Sequence, residues 1–213
     1  MSTALVYCGM QAGFVIGADS LAFNNLAQRV ESCSERKIFA FENDVASAVF
    51  AWSGTVKASS PHFDVSLIEV SKDILLRVDF QKFDEDFNAR LRERLAILRV
   101  NTTGECAHGV FLYFWRGAPM GFEISVFKNG YTWDSRVLNG GAGTPTGEIV
   151  IVSGRKEESI DLGKATSLGY AKALIERYVR DCIDDPKEEE IGGDVQIGTL
   201  TSEGLDWIIP PKA

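Results

Sequence analysis

The chain has 213 residues, 45% of them hydrophobic and 24% charged, which is enough apolar material to bury a sizeable core in one domain. Its formal net charge of −8 argues against nucleic acid as the principal partner, because phosphate binding calls for a basic surface. The four cysteines, at 8, 33, 106 and 182, form no CxxC pair and stand with only two histidines. That pattern excludes the usual zinc spacings and suits reduced thiols in a cytoplasmic protein. No basic leader opens the sequence and no apolar run is long enough to span a bilayer, so neither export nor a membrane partner is expected. Asn101-Thr102-Thr103 fits the glycosylation pattern but reads as a chance match in a loop.

In chain order, TALVYCGMQAGFVIGADS at residues 3–20 comes first. Two apolar runs, ALVYC and FVIGA, are rich enough in β-branched and aromatic residues to be buried strands joined by a tight turn. A turn centred on Gln11 would set Thr3 opposite Asp19, a hydroxyl facing a carboxylate across a hairpin. Residues 21–34 are mixed and polar and read as a loop. Residues 37–41 and 45–52 are two more strands, separated by the Asx-type turn Glu42-Asn43-Asp44. Ser59-Ser60-Pro61 reads as a helix entry, after which Leu67, Ile68, Val70, Ile74, Leu75 and Val78 recur at helical spacing.

A second helix is expected from Phe83, Phe87, Leu91, Leu95, Ile97 and Leu98, with Arg90, Arg92, Glu93 and Arg94 on a solvated face between them. Short strands follow at 110–115, 121–127, 131–137 and 148–153. Gly140 to Pro145 is Gly-rich but lacks the Lys-Ser/Thr of a phosphate loop, so it reads as a turn. Residues 160–183 are the third helical region, ended by Pro186. The acidic run at 184–190 lacks the spacing and central glycine of a calcium loop and reads as solvated. Strands at 194–201 and 206–209 close the chain. Runs of strands separated by helices, without βαβ units, give an α+β domain with mainly antiparallel sheet. There are no internal repeats and no dividing linker, so residues 1–213 are expected to form a single domain.

The order of landmarks ADS at 18–20, ERKIFAF at 35–41 and FAWSGT at 50–55 resembles the proteasome-type N-terminal nucleophile (Ntn) hydrolases, and IGGDVQIGTLTSEGLDWI at 191–208 is similar to that family's closing hairpin. The resemblance implies a four-layer αββα sandwich of two antiparallel sheets with helices outside. It matches Thr3 to the nucleophile, Asp19 and Lys37 to the aspartate and lysine beside it, and Gly54 to the glycine of the oxyanion hole. Ser153, in Val152-Ser153-Gly154, matches the Ser-Gly turn that supports the nucleophile's amine. Asp181, or Asp184 close behind it, is the nearest match to the family's aspartate at the end of the third helix.

The residue types suit that chemistry. An N-terminal threonine carries a hydroxyl as nucleophile and its own α-amine, which titrates near neutrality, as base. Lys37 would hold positive charge beside the pair, Asp19 would orient Lys37, and the Gly54 N–H would meet a developing oxyanion. The resemblance thus implies a threonine peptidase acting on peptides or unfolded proteins. It also implies a homo-oligomeric ring, leaves any ATPase partner open, and calls for no metal or organic cofactor. The sequence also departs from the family pattern. Ser2, not Gly, precedes Thr3, and residues 184–192 hold no Ser-Gly step. A catalytically silent ring or scaffold subunit, or a small-molecule amidase of the same superfold, are therefore the alternatives.

Overall fold

The computed structural model describes residues 4–10, 12–24, 29–44, 46–54, 57–60, 63–96, 107–126, 133–139, 148–153 and 167–209, and all structural statements here concern those. Thr3, the turn at 140–145 and the sequon at 101–103 lie outside them. The first hairpin is β1 (Leu5–Met10) and β2 (Gly13–Ala18). A smaller hairpin, β3 (Ala22–Asn24) with β4 (Arg29–Ser32), occupies part of the segment expected to be loop. Then come β5 (Ile38–Glu42) and β6 (Ala46–Gly54), the hairpin β7 (Lys57–Ser60) and β8 (Phe63–Ser66), and helices α1 (Leu67–Leu75) and α2 (Phe83–Ala96). Strands β9 (Ala107–Trp115), β10 (Ala118–Val126), β11 (Trp133–Asn139) and β12 (Glu148–Ser153) follow. Helix α3 (Leu168–Ile183) and strands β13 (Gln196–Thr201) and β14 (Gly204–Ile209) complete the order.

Two five-stranded sheets result, one ordered β12-β1-β2-β13-β14 and the other β11-β10-β9-β6-β5, and every pairing in them is antiparallel. Strand alternation sorts the side chains into separate cores. Leu5, Tyr7, Phe14 and Ile16 of the first sheet meet Val49, Val110, Leu112 and Phe114 of the second in one cluster. The opposite faces take the helices. Ala4, Val6, Cys8 and Val15 pack with Ala171, Ile175, Val179 and Cys182 of α3. Phe50, Trp52, Phe111 and Phe122 pack with Ile74, Leu75, Phe87 and Leu91 of α1 and α2. Each fully buried Phe or Leu contributes roughly 1.5–3 kcal/mol relative to exposure. The aromatic side is tight, with ring centroids 4.4 Å apart for both Phe83–Tyr113 and Phe87–Phe111. The Trp52 indole N–H donates to Ser71 Oγ at 2.9 Å, satisfying a buried donor.

Three expectations are corrected. The first hairpin pairs Leu5 with Ala18 and Met10 with Gly13, so Ala4, not Thr3, comes opposite Asp19. With Met10 paired to Gly13, the register is moved by one position from that of a turn centred on Gln11. The entry to α1 is not at Ser59-Ser60-Pro61, because Lys57–Ser60 and Phe63–Ser66 pair as antiparallel strands. The helix begins at Leu67, where the Ser66 hydroxyl accepts the Glu69 N–H. Likewise α3 begins at Leu168 rather than near 160, with extended Ser167 as its cap and its hydroxyl on the Tyr170 N–H. In both cases a serine placed to accept an orphan amide fixed the start more firmly than apolar spacing did.

Candidate active site

Asp19 follows β2, Lys37 precedes β5, and Gln196 opens β13, so the antiparallel register brings all three to one end of the sheets. Asp19 is wholly buried and Lys37 is 7% exposed. Lys37 Nζ donates to Asp19 Oδ1 at 2.9 Å, an ion pair that links the first sheet to the second. The same oxygen accepts the Ala4 N–H at 3.0 Å, while Oδ2 accepts the N–H groups of Leu21 at 3.1 Å and Gly192 at 3.2 Å. A buried carboxylate with this many donors has both oxygens accepting and is held rigidly in place. Burial pushes the Lys37 ammonium below the ordinary lysine range, and the Asp19 and Glu35 carboxylates partly offset that.

Neighbouring hydrogen bonds brace the pair. Ser20 Oγ donates to the Cys33 carbonyl at 2.7 Å and accepts the Asp194 N–H at 2.6 Å, and the Ser20 N–H donates to the Gly192 carbonyl at 3.1 Å. Gly193 is the hinge of that turn, with φ of 75°. A Cβ there would lie 2.3 Å from the Cys33 carbonyl oxygen, so glycine is required for both conformation and space. Gln196 Oε1 accepts the Lys37 N–H at 3.0 Å, and its Nε2 donates to the Glu35 carbonyl at 2.6 Å. Reading the sequence missed Ser20, Gly192, Gly193 and Gln196 as parts of this site. Gly192-Gly193 was the visible signal, since a Gly pair before a strand often marks a close backbone approach.

The other expected residues fall as follows. Thr3 lies outside the described residues, immediately before the Ala4 amide that Asp19 holds. Gly54 ends β6 with φ of 84°, a left-handed conformation that favours glycine. Ser153 ends β12, its backbone opposite Leu5 at the same end of the sheet as Ala4. Asp181 does not join the cluster. It sits on the outer face of α3, half exposed, paired with Arg177 at 3.5 Å one turn earlier. Asp184 is exposed at the C-cap of α3. The α3 residues that face the sheet are Ala171, Ile175, Tyr178, Val179 and Cys182, and neither aspartate falls on that stripe. Among the described residues no group of His, Cys, Asp and Glu is arranged to hold a metal ion, and no helix is long and apolar enough to cross a membrane.

No family model and no curated protein matches the chain. Solved structures do. Anbu (Gly-1 mutant) from Hyphomicrobium sp. strain MC1 superposes with a TM-score of 0.63 at 12% identity, over 96% of this chain and 84% of that one. Anbu, described as an ancestral beta-subunit, from Yersinia bercovieri gives 0.61 at 12% identity, over 95% and 86%. A second structure of the Hyphomicrobium protein gives 0.60 at 10% identity, over 96% and 84%. At these identities the likeness is one of fold alone, the proteasome-like fold of the Anbu structures.

Proposed function

We propose that the chain is a proteasome-like threonine peptidase whose nucleophile is Thr3, exposed by removal of Met1 and Ser2. One observation carries the reading: the buried Lys37–Asp19 pair is bonded to the backbone of Ala4, so it stands one residue from Thr3. The layers support it too. Two sheets sharing a core, with α3 outside one and α1 and α2 outside the other, are read as a single-domain αββα sandwich. In the proposed reaction the Thr3 Oγ adds to the scissile carbonyl and its proton passes to the free α-amine. The oxyanion is met by the Gly54 N–H, and Lys37 stabilises the developing alkoxide. The amine's proton goes to the leaving nitrogen as the C–N bond breaks, and water then hydrolyses the acyl-enzyme ester and restores Thr3.

Substrates of this reading are peptides or unfolded proteins, and the working form is a homo-oligomeric ring in the cytoplasm. The ring is inferred from the likeness to a protein described as an ancestral beta-subunit. Replacing Thr3→Ala is expected to abolish turnover of peptidyl reporter substrates with an unchanged unfolding transition; a fully active variant overturns the reading. A silent subunit is the second reading. It is favoured by Ile191, which is buried against α3 and offers no hydroxyl beside Gly192. That reading requires that no processed form reacts with an electrophilic peptide.

A further inference from the structure

Gln196 is 1% exposed, and its backbone pairs with Ala18, the residue before Asp19. Its side chain leaves that sheet. Oε1 accepts the N–H of Lys37 at 3.0 Å and of Ile38 at 3.4 Å, and Nε2 donates to the Glu35 carbonyl at 2.6 Å. The Glu35 N–H in turn donates to the Ser20 carbonyl at 2.8 Å, which closes a loop of bonds around Asp19 and Lys37. Asp19 and Lys37 border different sheets, so the length of their ion pair depends on how the two sheets stand at this end. Gln196 is bonded to the backbone on both sides of that gap. An apolar side chain of the same volume would fill the space but leave the Lys37 and Ile38 amides without this acceptor. The lysine stem is long and flexible, so its ammonium is placed only as well as its own backbone is.

We propose that Gln196 is a positioning residue for Lys37, fixing the backbone from which the ammonium reaches Asp19. The kinetic consequence rests on the peptidase reading; the effect on Lys37 rests on the geometry alone. Among the described residues, Asp19 and Glu35 are charged groups that act on Lys37. Releasing its backbone admits water, and burial is what chiefly holds its titration down.

The test uses the full-length processed chain with side-chain ¹³C-labelled lysine, the Lys37 resonance being assigned by its loss in Lys37→Met. In Gln196→Met the Lys37 titration is expected to move up toward the ordinary lysine value. On a peptidyl reporter, kcat is expected to fall about ten-fold or more with KM held within about two-fold, and the alkaline limb of the pH profile to move up with the resonance. A folded Gln196→Met with the Lys37 titration and pH profile of wild type overturns the proposal, whatever its activity. Should that variant not fold, Gln196→Asn decides. It keeps the amide and shortens its reach by one methylene, and an unchanged Lys37 titration in it overturns the proposal equally. Absence of any Thr3-dependent turnover in wild type would count against the peptidase reading alone, and the resonance would still decide the role of Gln196.

Discussion

Asp19 has both oxygens filled, by an ammonium and three backbone amides, so its charge has been taken out of water only with partners in place. Removing one member of such a pair leaves the other uncompensated. Asp19→Asn is expected to cost about 3–5 kcal/mol of stability, read by urea unfolding, because it strands the Lys37 ammonium and presents an amide to backbone donors. The pH dependence follows from the Lys37 titration, which lies below that of an unfolded lysine. Between those two values the unfolded chain binds more protons than the native one, so this site makes stability rise with pH across that window and fall as pH drops through the native value. Unfolding measured at a series of alkaline pH values is expected to show that slope in wild type and to lose it in Lys37→Met. Equal slopes in both would contradict the burial-driven shift. The carboxylate and lysine of this site were expected from the family resemblance that ADS and ERKIFAF carry, not from any local pattern of charge. Gln196 was not readable, because its partners lie 159 and 161 positions away and nothing local marks it.

At the scale of elements, the turn through Gly192 and Gly193 carries more of the site than its length suggests. Gly193→Ala is expected to destabilise the fold and weaken the Asp19–Lys37 pair. The left-handed backbone alone costs about 1–2 kcal/mol for a residue with a Cβ, and the clash with the Cys33 carbonyl moves the segment leading to Lys37. Wild-type thermal stability in that variant would show that the turn yields freely. At α1, Ser66→Ala is expected to cost about 1 kcal/mol by thermal unfolding, the ordinary loss of an N-cap. The helices were legible where apolar residues recur every three or four positions, as Phe83, Phe87 and Leu91 do. Their starts were less legible, because a cap depends on one serine while the apolar pattern extends beyond it. The hairpin of β7 and β8 was hidden by Ser59, Ser60 and Pro61, which suit a helix entry and a turn equally well.

For the whole molecule, two antiparallel sheets sharing a core explain why an ammonium and a carboxylate from distant parts of the sequence come together. Both sheets end at the same side, and the strands that flank their shared core deliver Ala4, Asp19, Lys37 and Gln196 there. Fold class was legible because alternation and helix spacing are local signals summed over many residues. Hairpin register was less so: one extra residue in a turn displaces every pairing, and Ala4 stands where Thr3 was expected. The functional account rests on Thr3 becoming the N-terminal residue beside the Lys37–Asp19 pair. Intact mass of untagged protein, taken before and after a peptide epoxyketone, tests this most directly. The account requires a mass lacking Met1 and Ser2 and a single inhibitor adduct on Thr3; a mass retaining Ser2 with no adduct would contradict it.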